Sequence, residues 1–251
     1  MLTPDFVKKD PFLEPYNHKI INRLRKAYEK EKELTGESSL GDFANGHHYF
    51  GLQRTGDGWV LREWAPNANS IFLIGDFSQW KLDDSYKLQP IGNGNWELVL
   101  PAGSIKHLDH YKLFICWEGG SGDRIPAWAR RVVQDPVTHL WNAQVWAPEE
   151  EYQWKNSLKN DKNFFPLIYE THTGMATEEY KVGSWEEFRV NVLPHIKDLG
   201  YNTIQLMAVQ EHPFYGSFGY HVNAFFAASS RFGTPEDLKA LIDEAHGMGL
   251  K

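Results

Sequence analysis

The spacing of apolar residues changes at about residue 165, and that change limits the possible folds more than any other feature of the chain. Before it, short alternating segments are punctuated by turns. The candidates are 48–53, 59–64, 70–74, 96–100, 111–117 and 140–146, with Thr55-Gly56-Asp57-Gly58 and Gly92-Asn93-Gly94-Asn95 as turns. Period-2 segments at this density predict a β-sandwich of about a hundred residues. After residue 165 the pattern becomes strand, helix, strand, helix. Leu167-Ile168-Tyr169-Glu170 is a short apolar strand. Ser184 with Glu187 makes a capping box, and Trp185, Phe188, Val192, Leu193, Ile196 and Leu199 form a helical stripe closed by Gly200. A near-continuous apolar strand follows over 203–209, which predicts burial on both faces. Thr234, Pro235 and Asp237 then start a helix with Leu238, Leu241, Ile242 and Ala245 on its core face and Gly247 at its end. Two βα units in series require a parallel sheet, open or closed into a barrel, and periodicity does not choose between these.

The N-terminal stretch predicts one helix, 17–34, with Ile20, Ile21, Leu24, Ala27 and Tyr28 on one stripe and Gly36 at its end. The expected organisation is a helical segment over 1–45, a sandwich over 46–147, a charged linker over 148–164 and βα units over 165–251.

A net charge of −7 argues against a nucleic-acid or anionic-membrane partner. No apolar run is long enough to span a bilayer. Cys116 is the only cysteine, so no internal disulfide is possible, and a reducing, cytoplasmic setting is expected. The first residues show no basic-then-apolar leader pattern. The 10 tryptophans point to sugar stacking for some and to core packing for most.

In βα architectures function collects on loops after strand ends. Two such loops occur here, one from Glu170-Thr171-His172-Thr173-Gly174 and one over 210–220. Tyr220 could floor a sugar subsite or pack with its hydroxyl bonded, and spacing leaves both open. Glu211-His212 could serve acid–base or metal chemistry. No third ligand sits at suitable spacing, so a loop-anchoring pair is favoured, and Glu170 and His172 are read the same way. No metal or cofactor is expected.

Several segments resemble the 1,4-α-glucan branching enzymes of the α-amylase superfamily. They are Tyr169-Glu170-Thr171-His172-Thr173-Gly174-Met175, the run from Asn191 to Asn202, Gln205-Leu206-Met207-Ala208, Ser217-Phe218-Gly219-Tyr220 and Phe225-Phe226-Ala227-Ala228-Ser229-Ser230-Arg231. Trp64-Ala65-Pro66-Asn67-Ala68 and the run from Leu73 to Trp80 resemble the glucan-binding module that precedes that family's barrel. The resemblance implies a sandwich module followed by the first two βα units of a (β/α)8 barrel, stopping at Lys251 where a third strand would begin. It implies a retaining transglycosidase that transfers a cleaved α-1,4-glucan segment to a 6-hydroxyl through an Asp nucleophile and a Glu acid. Both carboxylates belong to strands beyond Lys251. The 251 residues are therefore expected to be inactive alone, and the two βα units marginal without the rest of a barrel. The residues it implies for glucan binding are Tyr220, Trp64, Trp80, Trp96 and Lys112. A non-catalytic glucan-binding protein is the alternative. A debranching hydrolase of the same superfamily is opposed by the block from Phe225 to Arg231.

Overall fold

A computed structural model describes residues 3–158 and 163–251. Residues 159–162 of the expected linker, and Met1 and Leu2 at the start, lie outside the described residues. The chain divides into two compact units, Met1–Tyr49 and Phe50–Lys251. The first unit holds helices α1 (Asp5–Lys9), α2 (Asn17–Thr35), α3 (Leu40–Phe43) and α4 (Gly46–Tyr49). Gly36, at φ +62°, ends α2 as expected. Ile20 and Ile21 are half-buried, while Leu24 and Tyr28 on the same stripe are exposed. His48 lies in α4, so the strand expected from residue 48 begins at Gly51 instead.

In the second unit, nine strands form the sandwich. One sheet has the order β1 (Gly51–Thr55), β2 (Gly58–Trp64), β5 (Asn95–Pro101), β4 (Gln89–Gly92). The other runs β3 (Ala68–Gly75), β6 (His110–Trp117), β9 (Trp141–Gln144), β8 (Val132–Gln134), with β7 (Gly120–Arg124) also on β6. Every pairing is antiparallel. Leu61, Ile71, Leu73 and Leu113 fill the space between the sheets. The sequence pattern missed β4, β7 and β8, because Pro90 and the glycines of β7 carry no strand signal and β8 has three residues.

β10 (Ile168–His172) and β11 (Thr203–Met207) pair in parallel, Ile168 opposite Thr203. The connecting helix starts as α5 (Trp185–Glu187) under the predicted Ser184–Glu187 capping box. It passes through a π turn, Phe188–Val192, and finishes as α6 (Leu193–Asp198). Pro194 explains the π turn: proline has no N–H and its ring crowds the carbonyl four residues back, so the turn widens. The Leu193 N–H reaches Phe188 O, five residues back, and buried Leu193 stays on the same face as buried Phe188.

β11 is not buried on both faces. Ile204 and Leu206 pack on the helices, but Gln205 on the alternate face is exposed. α7 (Pro235–Gly247) carries the predicted Thr234–Asp237 box. Gly247 is its last residue, as expected, and the chain turns away just beyond it: Gly249 has φ +77°, and the Leu250 N–H returns to Ala245 O at 2.8 Å.

One residue aligns the strand starts. Asn202 accepts the Leu167 N–H on its side-chain oxygen (2.7 Å) and donates through its amide to Phe165 O (2.9 Å). Its carbonyl takes the Lys251 N–H at 2.9 Å, and the Lys251 carbonyl takes the Ile204 N–H at 2.7 Å. Lys251 thus occupies a parallel-ladder position on the free side of β11. Among the described residues no helix is long and apolar enough to cross a membrane.

Candidate functional site

The loop after β11 is built on a buried carboxylate. β12 (Gln210–Glu211) pairs with β13 (Ala224–Ala228). Glu211 is fully buried and accepts the Ser230 N–H on Oε2 at 2.6 Å. Its Oε1 accepts the His212 N–H at 3.1 Å and faces the Ser229 hydroxyl at 3.4 Å. His212, also buried, has Nδ1 3.0 Å from Gln210 O. Glu211 ties the start of the loop to Ser229 and Ser230 beyond its end, which is the anchoring role favoured from sequence, whereas the His212 ring bonds only to Gln210 at the loop's start. Glu170 is exposed on β10 while both Glu211 oxygens are engaged, so the two do not form an acid–base pair.

Between these anchors the chain arches out. Gly219 lies against Ala208 Cα, where a Cβ would collide. Tyr220 is 79% exposed, held at its backbone by Ser217 O. His172, at the end of β10, is buried, its ring edge-on to Tyr215, Phe218 and Phe232. Burial pulls the His172 pKa below its usual value, so the ring is neutral at pH 7. The Tyr215 hydroxyl donates to Gly174 O at 3.0 Å and joins the two loops.

The sandwich candidates divide. Trp64, exposed at the end of β2, donates its indole N–H to Asn93 O at 3.2 Å. Gly94, at φ +77°, leaves room for that indole, whose Nε1 would lie 3.1 Å from a Cβ. Trp80 stands after β3 at φ +61°, its indole N–H on Asp76 Oδ1 at 3.0 Å. Asp76 also takes the His110 N–H. Lys112 faces Ile74 across the β3–β6 ladder, so it and Trp80 share one end of that sheet, whereas Trp64 ends a strand of the other. Trp96, expected with them, sits at an inward position of β5 and is 8% exposed. Its indole donates to Ala65 O at 3.0 Å. That ring is part of the sandwich core, not an open platform.

Sequence reasoning missed the residues that join the sandwich to the βα units. Arg131 donates to Gln144 Oε1 at 3.1 Å and to Gly233 O at 3.2 Å, with its guanidinium 4.6 Å from the Trp146 ring. Trp146 donates to Glu236 Oε2 at 2.6 Å. Asp243, buried on α7, accepts from the Tyr152 hydroxyl, the Lys155 and Asn156 N–H groups and the Asn156 amide. Burial alone would raise its pKa, but those donors outweigh it and hold the carboxyl below the usual aspartate range. The expected linker is thus fastened to α7 at 152–156. No periodic signal marks such contacts, which depend on residues about ninety positions apart. Among the described residues no group of three or more His, Cys, Asp or Glu side chains could hold a metal.

Residues 49–138 match the family described as Carbohydrate-binding module 48 (Isoamylase N-terminal domain), and residues 175–251 match Alpha amylase, catalytic domain. The chain therefore joins a segment similar to a family-48 module to one similar to the opening of an α-amylase catalytic domain. A pullulanase structure from Bacillus acidopullulyticus shares this fold at TM-score 0.65 and 18% identity, over 80% of this chain and 28% of that one. The sequence is also similar to 1,4-α-glucan-branching enzymes. It is 42% identical to the one from Dictyostelium discoideum over 97% of this chain. It is 44% identical to the one from Rhizophagus irregularis over 98% of this chain. The chain spans 37% of the length of each of these two relatives.

Proposed function

We propose that this chain forms the glucan-binding module and first βα units of a 1,4-α-glucan-branching enzyme. That enzyme cleaves an α-1,4 bond and moves the released segment to a 6-hydroxyl. The observation that carries this reading is similarity to branching enzymes across nearly the whole chain, sandwich and βα units alike. Tyr220 supplies an exposed aromatic at the mouth of the barrel beside the reacting glucose. Trp64, Trp80 and Lys112 hold α-1,4-glucan on the sandwich through ring faces and one cation. The segments 1–45, 46–147, 148–164 and 165–251 serve as helical lead, module, strap and barrel opening. In this reading the nucleophile and acid come from parts of that enzyme other than Glu170 and Glu211, and the residues named here bind glucan. A single cysteine accords with a reducing, cytoplasmic setting.

The test is to stain amylose with iodine after incubation with the whole protein that contains this chain. A colour shift with no rise in reducing ends is the expected result. A rise in reducing ends would mean hydrolysis and overturn the proposal.

A further inference from the structure

The segment carrying Tyr220 rests on an aromatic ring of the sandwich. The Phe226 ring on β13 stacks on the indole of Trp128, centroids 4.2 Å apart and planes within 20°. Phe50 stacks on the same indole at 5.4 Å, again within 20°. Sandwich strands fix the backbone of Trp128. Ala127, its neighbour, donates its N–H to buried Glu63 Oε2 on β2 at 3.2 Å, and Ala129 closes a turn onto Pro126 O at 3.1 Å. Gly51, which opens β1 at φ +77°, lies so close that a Cβ there would be 2.8 Å from Trp128 O. β13 is itself built into the sandwich, because Ala224 and Ala227 belong to its core.

The arc from His212 to Asn223 is closed at its base by the Asn223 N–H on Glu211 O at 3.0 Å. One end of that base is anchored by Glu211, and the other continues directly into β13. Tyr220 lies four residues before β13, next to Gly219, which rests on Ala208.

We propose that Trp128 is a positioning residue for Tyr220: it fixes β13, and so the arc that presents the tyrosine to substrate. The sandwich then serves the chemistry as a foundation, separately from any glucan it binds. This rests on the branching-enzyme reading, in which a small misplacement of a substrate-positioning group lowers turnover sharply.

The experiment compares Trp128→Ala, Trp128→Phe and Phe226→Ala in the whole protein that contains this chain. Branching rate is measured against amylose concentration, and amide exchange is followed across 214–223. Trp128→Ala is expected to lower kcat by about tenfold or more with KM within about twofold. It should speed exchange at 214–223 while leaving 59–64 and 96–100 protected. Trp128→Phe should restore most of the rate. If Trp128→Ala does not fold, Phe226→Ala removes the same contact from the other side and should give the same pattern. Unchanged kcat in a folded variant, or a rate loss that tracks global melting and that Phe does not rescue, would overturn the proposal. If the unmodified protein does not branch amylose, the functional reading fails instead. The exchange data then decide positioning alone, with unchanged protection at 214–223 counting against it.

Discussion

Arg131 reaches from the sandwich to the turn ahead of α7, donating to Gly233 O at 3.2 Å while its guanidinium lies over Trp146. It is 9% exposed, so water does not compensate when it is removed. Arg131→Ala should lower the unfolding free energy by about 3 kcal/mol, combining charged hydrogen bonds with a desolvated cation–π contact. Arg131→Lys should recover less than half, since an ammonium cannot fork between Gln144 and Gly233. Urea midpoints measure both, and an unchanged midpoint for the alanine variant would show that the joint carries no stability.

The tryptophans should separate by role. Trp64→Ala and Trp80→Ala should weaken retardation in a glycogen-affinity gel and shift melting little, because both rings are well exposed. Trp96→Ala should instead cost about 3–5 kcal/mol through the cavity it leaves in the sandwich core. Normal gel mobility for both exposed-ring variants would remove the glucan role from these positions.

Asp243 should make the strap acid-sensitive. Its folded-state pKa lies below the ordinary value, so its contribution is present above about pH 4 and is lost as pH falls through the lowered pKa. The stability gap between the natural protein and Asp243→Asn should therefore be full at pH 7 and close in acid. Urea midpoints over a pH series measure it. A gap that stays constant to pH 2 would mean the carboxylate charge is not what holds 152–156.

Thr234→Ala should cost about 1 kcal/mol by removing a capping oxygen from the Asp237 N–H, here at 3.2 Å. Thr234→Ser should be near neutral. Thermal melting distinguishes the two, and equal losses would point to the methyl group rather than the cap.

Much of this was legible because the signals are local. Capping boxes need two residues three apart, and both Ser184–Glu187 and Thr234–Asp237 form as read. The alternation over 59–64 gives β2 at nearly its observed bounds. The anchoring reading of Glu211-His212 was available from the lack of a third ligand. What was not legible depends on distant partners. Trp128 sits in an irregular segment, and its role comes from Phe226, almost a hundred residues on. Trp96 carries the same strand signal as a surface ring, and only the inward register of β5 separates them. The helical stripe through Phe188 and Leu193 has a spacing of five, which a regular helix would not keep on one face. Pro194 is the cue, but its consequence depends on whether the helix widens or breaks.

The Asn202 side chain binds the lead into β10, and its backbone precedes β11 and receives Lys251, so both paired strands are measured from one residue. Parallel strands have no hairpin to set their phase, and a slip of one residue would turn every side chain to the opposite face. A common datum at the lower rim also levels the upper one. His172 ends β10 opposite Met207 at the end of β11 because both strands were counted from the same amide. The loop that lifts Tyr220 thus owes its height to an asparagine at the far end of the sheet.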